Sequence, residues 1–235
     1  MPLQSTEPRR LYRQIADRLR TLIANGEFIA GARLPSERDL ARQFDVSRPS
    51  VREALIALEV AGWIEVRIGS GVYVLDRPTR APHPVDLREW GPLELIRARR
   101  VVEGETAALA ALHGKRKHFD AMSRAIDTMH LMADSNIAPL DSDRAFHLAI
   151  VEASGNAVLI DTVQGFWDAR NGPLFTRLGG YFETARSWRS AIAEHEAIHA
   201  AVVARDAVAA RAAMHRHMDK SHQRFSASWR LAQAG

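Results

Sequence analysis

Cysteine is absent from the 235 residues. Its absence excludes disulfides, thiolate metal sites and a cysteine nucleophile, and it fits a reducing compartment. Lysine is almost absent too. It occurs only at Lys115, Lys117 and Lys220, so nearly all the positive charge is carried by arginine. No stretch approaches the ~18 apolar residues that a membrane span needs. The opening MPLQSTEPRRLYRQ lacks the apolar run of a secretory signal. The expectation is a cytoplasmic protein with no membrane partner. No internal repeat stands out.

Hydrophobic residues make up 46% of the chain, enough for packed cores and against disorder. The length suits two small domains better than one. Net charge is +4, a balance that permits nucleic-acid binding without establishing it. Residues 1–80 hold many arginines and no lysine. Arginine is the side chain that meets guanine edges and phosphates bidentately, although an arginine-biased composition runs through the whole chain.

Leu11, Ile15, Leu19, Leu22 and Ile23 form one helical stripe that ends at Gly26. Ser36 begins a second, short helix, with Asp39 three residues on as an acidic variant of the capping box. Ser47 caps a third helix whose stripe of Val51, Ala54, Leu55 and Leu58 turns inward, while Arg48 and Arg52 lie i, i+4 on another face near Ser47 and Ser50. After Gly62, the runs Trp63–Arg67 and Val72–Leu75 flank Gly69-Ser70-Gly71 and predict a β-hairpin. Three helices and a hairpin form a winged helix-turn-helix, whose third helix enters the major groove N-terminus first. A three-helix bundle with solvated arginines would share the helices but leaves the whole constellation unexplained.

The run LPSERDLARQFDVSRPSVREALIALEVAGWIEVRIGSGVYV resembles the DNA-binding domain of the GntR family over about forty residues. The resemblance rests on Pro-Ser-Glu-Arg, Val-Ser-Arg, Val-Arg-Glu-Ala-Leu and the Gly-x-Gly wing. It implies base or phosphate contacts from Arg38, Arg48 and Arg52, phosphate contacts from Ser47 and Ser50, and minor-groove approach at Gly69. Ile68 stands where relatives often place a polar or basic wing residue, which leaves a base contact from the wing open.

Residues 77–92, with four prolines and no periodicity, read as a linker between a domain at 1–76 and another at 93–230. The second domain reads as all helical, with six or seven helices near 93–113, 115–134, 139–154, 156–170, 172–181, 184–204 and 206–229. Asp143 and His147 share one helix face with Phe146 and Ile150. His195 interrupts the stripe of Trp188, Ile192, Ile198 and Val202, and His217 interrupts Met214, Met218 and Phe225. Burying unpaired imidazoles is costly, and one shared metal would satisfy all three. One oxygen and three nitrogens suit zinc first, with nickel or manganese as alternatives. Hydrogen-bonded core histidines fit the same spacing, so periodicity alone leaves the choice open.

LIRARRVVEGETAALAA, DSDRAFHLAIVEASGN, EHEAIHAAV and AARAAMHRHMDKS resemble the FCD ligand-binding domain of FadR-type GntR regulators. The resemblance implies a divalent metal on Asp143, His147, His195 and His217, the four residues the stripes single out. It also implies an effector carboxylate on Arg99, with Asn156 nearby. The function expected is that of a repressor, homodimeric on a pseudo-palindromic double-stranded operator and controlled by a small organic acid.

An enzyme reading competes. His195-Glu196-Ala197-Ile198-His199 fits the H-E-x-x-H of zinc peptidases. It lacks a third ligand: Val202 replaces the glycine of the longer motif, and no glutamate follows Glu196. His199 is therefore expected to be no ligand, Glu196 to be solvated, and the protein to be no enzyme. A purely architectural DNA-binding protein would leave the large second domain without a purpose. An acyl-chain effector would want an apolar lining in place of the Asp/His cluster.

Overall fold

The computed structural model describes residues 10–76 and 90–227. Most of the expected linker, at 77–89, and the last residues of the final expected helix lie outside them. Backbone contacts group the chain into two compact units, residues 1–92 with 173–178, and residues 93–172 with 179–235.

In the first unit, α1 (Leu11–Ala24), α2 (Glu37–Phe44) and α3 (Arg48–Val60) precede β1 (Ile64–Arg67) and β2 (Gly71–Val74). The stripes set the packing: Ile15 and Leu19 of α1, Leu40 of α2, and Val51, Ala54, Leu55 and Leu58 of α3 are all buried. Each large one contributes about 1.5–3 kcal/mol by leaving water. Ser36 caps α2 by accepting from the Asp39 amide, and its hydroxyl donates to Asp39 Oδ2 at 2.6 Å. The acidic box thus closes through the hydroxyl. Ser47 caps α3 by accepting from the Ser50 amide, with Pro49 in the first turn. The short link between the helices is made by Asp45 in the left-handed region at φ 52°, where Asp is one of the few tolerated residues.

The hairpin is antiparallel, pairing Ile64 with Val74 and Arg67 with Gly71. Val66, Val72 and Val74 turn inward. The sequence pattern predicts only these two strands, and the structure adds an edge. Arg33 bridges Tyr73, and the amides of Gly31 and Leu34 donate to the carbonyls of Val74 and Val72. That edge is too short, and too close to Gly31 and Pro35, to show an alternating pattern.

After the hairpin the described chain runs through seven more helices: α4 (Pro92–His113), α5 (Arg116–Asp134), α6 (Leu140–Ala153), α7 (Ala157–Arg170), α8 (Pro173–Phe182), α9 (Ala185–Val203) and α10 (Ala207–Ser226), and the first part of α8 groups with the first unit. They match the expected spans within a few residues. The core of the second unit joins Met122 and Met129 of α5, Phe146 and Ile150 of α6, Ile192, Ile198 and Val202 of α9, and Met214 and Met218 of α10. Alanines at 107, 110 and 111 let α4 lie close against it.

Candidate DNA-contacting surface and metal centre

Ser47, Arg48 and Ser50 come together at the first turn of α3. Arg48 is about half exposed (52%), with Nη2 3.6 Å from Glu37. The Ser47 and Ser50 hydroxyls lie 2.8 Å apart. Arg38, on the first turn of α2, is also exposed. Gly69, exposed at the hairpin turn, has φ 77°, a conformation that suits glycine. Ile68, next to it, is half-buried.

Arg52 is elsewhere. Its side chain is 1% exposed and binds Glu37 through both nitrogens, Nε to Oε1 and Nη2 to Oε2, each at 2.7 Å. The i, i+4 spacing from Arg48 fixes the general side of the helix but not the depth. In this arrangement Arg52 ties α3 to α2 and is not presented to a base.

In the second unit, α6 brings Asp143 and His147 one turn apart, α9 brings His195 and α10 brings His217. One donor atom from each lies within 4.8 Å of every other, and all four residues are buried. His195 Nε2 is 3.2 Å and His147 Nε2 3.6 Å from Asp143 Oδ1. The rings of His195 and His217 have centroids 4.5 Å apart. Asp143 Oδ1 and the Nε2 atoms of His147 and His195 are buried without a hydrogen-bond partner. Buried polar atoms are rarely left so. Three imidazole nitrogens and one carboxylate oxygen converging on one point fit a divalent transition metal.

Two carboxylates that helical patterning does not single out support this cluster. Glu194 accepts from His217 Nδ1 at 2.8 Å and is itself bound by Arg224. Glu103 lies against His147 Nδ1, off the angle of a good hydrogen bond, and is held by Arg99 Nε at 2.5 Å. Metal-binding histidines usually give their second ring nitrogen to such a carboxylate, which fixes ring and tautomer. The sequence signals are faint: Glu194 directly precedes His195, and Glu103 follows Arg99 by one turn.

Burial opposes charge at every one of these groups, and neighbours decide the outcome. Burial would raise Glu103, but Arg99 and His147 hold it down at about 2. Glu194 is likewise held at about 2, against its burial, by His217 and Arg224. Asp143 stays well below the usual carboxylate range because His147 and His195 outweigh its burial. His217 is pushed down to about 3 by burial and by His195. Burial lowers His195 as well. His147 moves up, because Glu103 and Asp143 overcome its burial. Neutral His195 and His217 beside an ionised Asp143 are the protonation states in which such residues bind metal.

A small cavity opens on the cluster, lined among others by Arg99, Arg170, Arg224, Asp143, Glu183 and Trp188. Arg99 stacks on Trp167, 4.3 Å from the ring centre. Arg170 bonds Glu183 at 2.6 Å. Asn156 does not join them. It is exposed and spends its side chain capping α7, accepting from the amides of Val158 and Leu159. His199 also stays outside the cluster, with Nε2 3.3 Å from the Phe119 carbonyl. Glu196 is half exposed (51%) and paired with His130. Among the described residues no helix is long and apolar enough to cross a membrane.

Comparison with known proteins agrees with both halves. Residues 11–74 match the family described as bacterial regulatory proteins, gntR family, and residues 94–220 match the FCD domain. The chain is 35% identical over 228 residues to the Uxu operon transcriptional regulator of Escherichia coli strain K12, covering 94% of this chain and 89% of that one. It is 32% identical over 226 residues to the Exu regulon transcriptional regulator of the same strain, covering 93% and 86%. The solved structure of E. coli McbR/YncC shares the fold, with a TM-score of 0.50 at 23% identity over 90% of this chain and 95% of that one. The Uxu and Exu relatives are transcriptional regulators. The chain belongs to the GntR family of bacterial regulatory proteins and is a DNA-binding transcription regulator that carries an FCD domain.

Proposed function

We propose that this regulator is a homodimeric repressor of a pseudo-palindromic operator, released when a small organic acid binds at a metal ion in the FCD domain. The observation that carries the reading is the set of four buried metal-ligating residues, three with donor atoms lacking protein partners, opening on a cavity edged by three guanidiniums. Asp143, His147, His195 and His217 would hold the ion, with zinc favoured and nickel or manganese as alternatives. When bound, the metal supplies a cationic centre for a carboxylate or hydroxyl oxygen of the effector. Arg99 adds a charge-assisted pair from the cavity wall. Asn156 is occupied as a helix cap, and its expected effector contact finds no support.

On the DNA side, Arg38, Ser47, Arg48, Ser50 and the wing at Gly69 are the proposed contacts. A two-fold dimer matches two half-sites. The effector shifts operator binding only by its differential affinity for the free and DNA-bound forms.

The test is thermal melting of the purified protein with a panel of small carboxylates, with and without a strong chelator, followed by operator binding. Chelation should lower the melting point, one acid should raise it only when metal is present, and the same acid should loosen DNA. If neither chelator nor acid moves the transition, the histidines are core residues and metal-dependent sensing fails.

A further inference from the structure

We infer that Arg33, at the isolated bridge to the wing, is a DNA phosphate contact that partly replaces the polar wing residue missing at Ile68. Side chains alternate along the two strands of the wing. Ile64, Val66, Val72 and Val74 point into the core, so Glu65, Arg67, Gly71 and Tyr73 share the outer face. Arg67 pairs with Gly71 across the hairpin, and Arg33 bridges Tyr73 from the other side. Cross-strand partners point to the same face. Two guanidiniums therefore flank Gly71 on the outer face of the wing.

The two differ in freedom. Arg67 is committed, with Nη2 2.8 Å from Glu65 and its guanidinium stacked on Tyr73 at 4.6 Å. Arg33 is exposed, and its guanidinium has no carboxylate partner among the described residues. Its stem lies directly over Gly71, where a methyl group would meet Arg33 Nε at 2.5 Å. Gly71, at φ 139°, thus leaves the space that seats Arg33 against the hairpin. The seat limits how far the side chain wanders, so less conformational entropy is lost when it meets an anion.

The wing tip itself offers little to DNA. Ile68 is apolar and Gly69 has no side chain. A cation fixed beside a glycine-rich turn is the feature a polyanion would meet as that turn approaches a groove. With no partner to orient its fork, the guanidinium suits the phosphate backbone, which needs charge more than register.

This inference rests on DNA binding by the winged unit and not on the metal-dependent sensing proposed above. The test uses full-length protein and a duplex selected from a randomised library by the wild type. Binding is followed by fluorescence anisotropy across roughly 50–200 mM salt. Arg33→Ala should lower the slope of log K against log salt by about 0.9 for each protomer engaged. It should weaken matched and mismatched duplexes alike and leave the melting temperature unchanged. Arg33→Lys, which keeps the charge, should restore the slope. Arg116→Ala, a fully solvated arginine of α5 (93% exposed), should change nothing. An unchanged slope in Arg33→Ala would overturn the inference. A loss confined to one base position would overturn it as well, since that is the mark of a base contact.

Discussion

His217 Nδ1 lies 2.8 Å from Glu194 Oε2, and this pair leaves His217 Nε2 as the atom the ring can offer to the shared centre. Glu194 reaches His217 from α9, the helix that also carries His195. One turn of α9 therefore supplies both His195 and the carboxylate that orients His217 of α10. Arg224 and Ser190 fix Glu194 in turn, at 2.9 and 3.2 Å. Glu194→Gln should weaken metal binding by about 10–100-fold without loss of helix content. Competition against a chromophoric chelator measures it. An unchanged affinity would reduce Glu194 to an ion-pair partner of Arg224.

Arg48 and Arg52 should separate cleanly, although both stand in the third helix. Arg52→Ala leaves Glu37, only 8% exposed, as a buried carboxylate without its bidentate partner. Breaking such a pair typically costs about 3–5 kcal/mol, so the urea midpoint should drop sharply. Arg48→Ala should leave the midpoint in place and weaken operator binding, by about 1–3 kcal/mol if Arg48 reads a guanine. Equal stability of the two variants would mean that Arg52 does not tie α3 to α2.

These two arginines show where the sequence stops being legible. Apolar periodicity locates the described helices because burial of one stripe is a local property of a helix. The same periodicity singles out the four residues of the buried Asp/His cluster, because a polar group inside an apolar stripe has to point inward. Arg52 belongs to the other side of α3, and only the position of α2 shows that Glu37 lies over it. Glu103 and Glu194 escape for a related reason. Helical patterning treats a glutamate as solvated, and nothing short of the packed bundle reveals that each faces an imidazole. The single bridge at Arg33 is too short to carry a pattern. Resemblance puts Asn156 near the effector, whereas its own position before α7 marks it as an N-cap.

The peptidase-like spacing at His195–His199 gives a sharp contrast between two histidines one turn apart. His195 is fully buried in the cluster (0% exposed), while His199 leans on the Phe119 carbonyl. His195→Ala should abolish stoichiometric metal, measured by elemental analysis after gel filtration. His199→Ala should retain it in full, and Glu196→Gln should retain it as well, since Glu196 faces His130 near solvent. Metal lost from the His199 variant would revive the peptidase ligand set.

Acid should destabilise the metal-free protein well before its carboxylates titrate. His217 has a folded-state value of about 3, against an ordinary 6.5, and His195 is shifted the same way. Below 6.5 the unfolded chain takes up protons on these imidazoles while the folded chain does not. The unfolded state then binds more protons, and stability falls as the pH falls. For His217 the loss begins near 6.5 and continues down to about 3. His147 works against it, since its raised value favours the folded state in acid. Within the cluster two lowered groups oppose one raised group, and burial lowers His118, His215 and His222 as well, so the net change should be a loss. Glu103 and Glu194, both held at about 2, add to it once the pH drops below their ordinary 4.5. Urea midpoints of chelator-treated protein at about pH 7.5 and 5.5 should differ, with the lower midpoint in acid and an unchanged slope. His217→Asn should flatten that difference. A midpoint that holds steady between the two pH values would mean that the histidines are not kept neutral by burial.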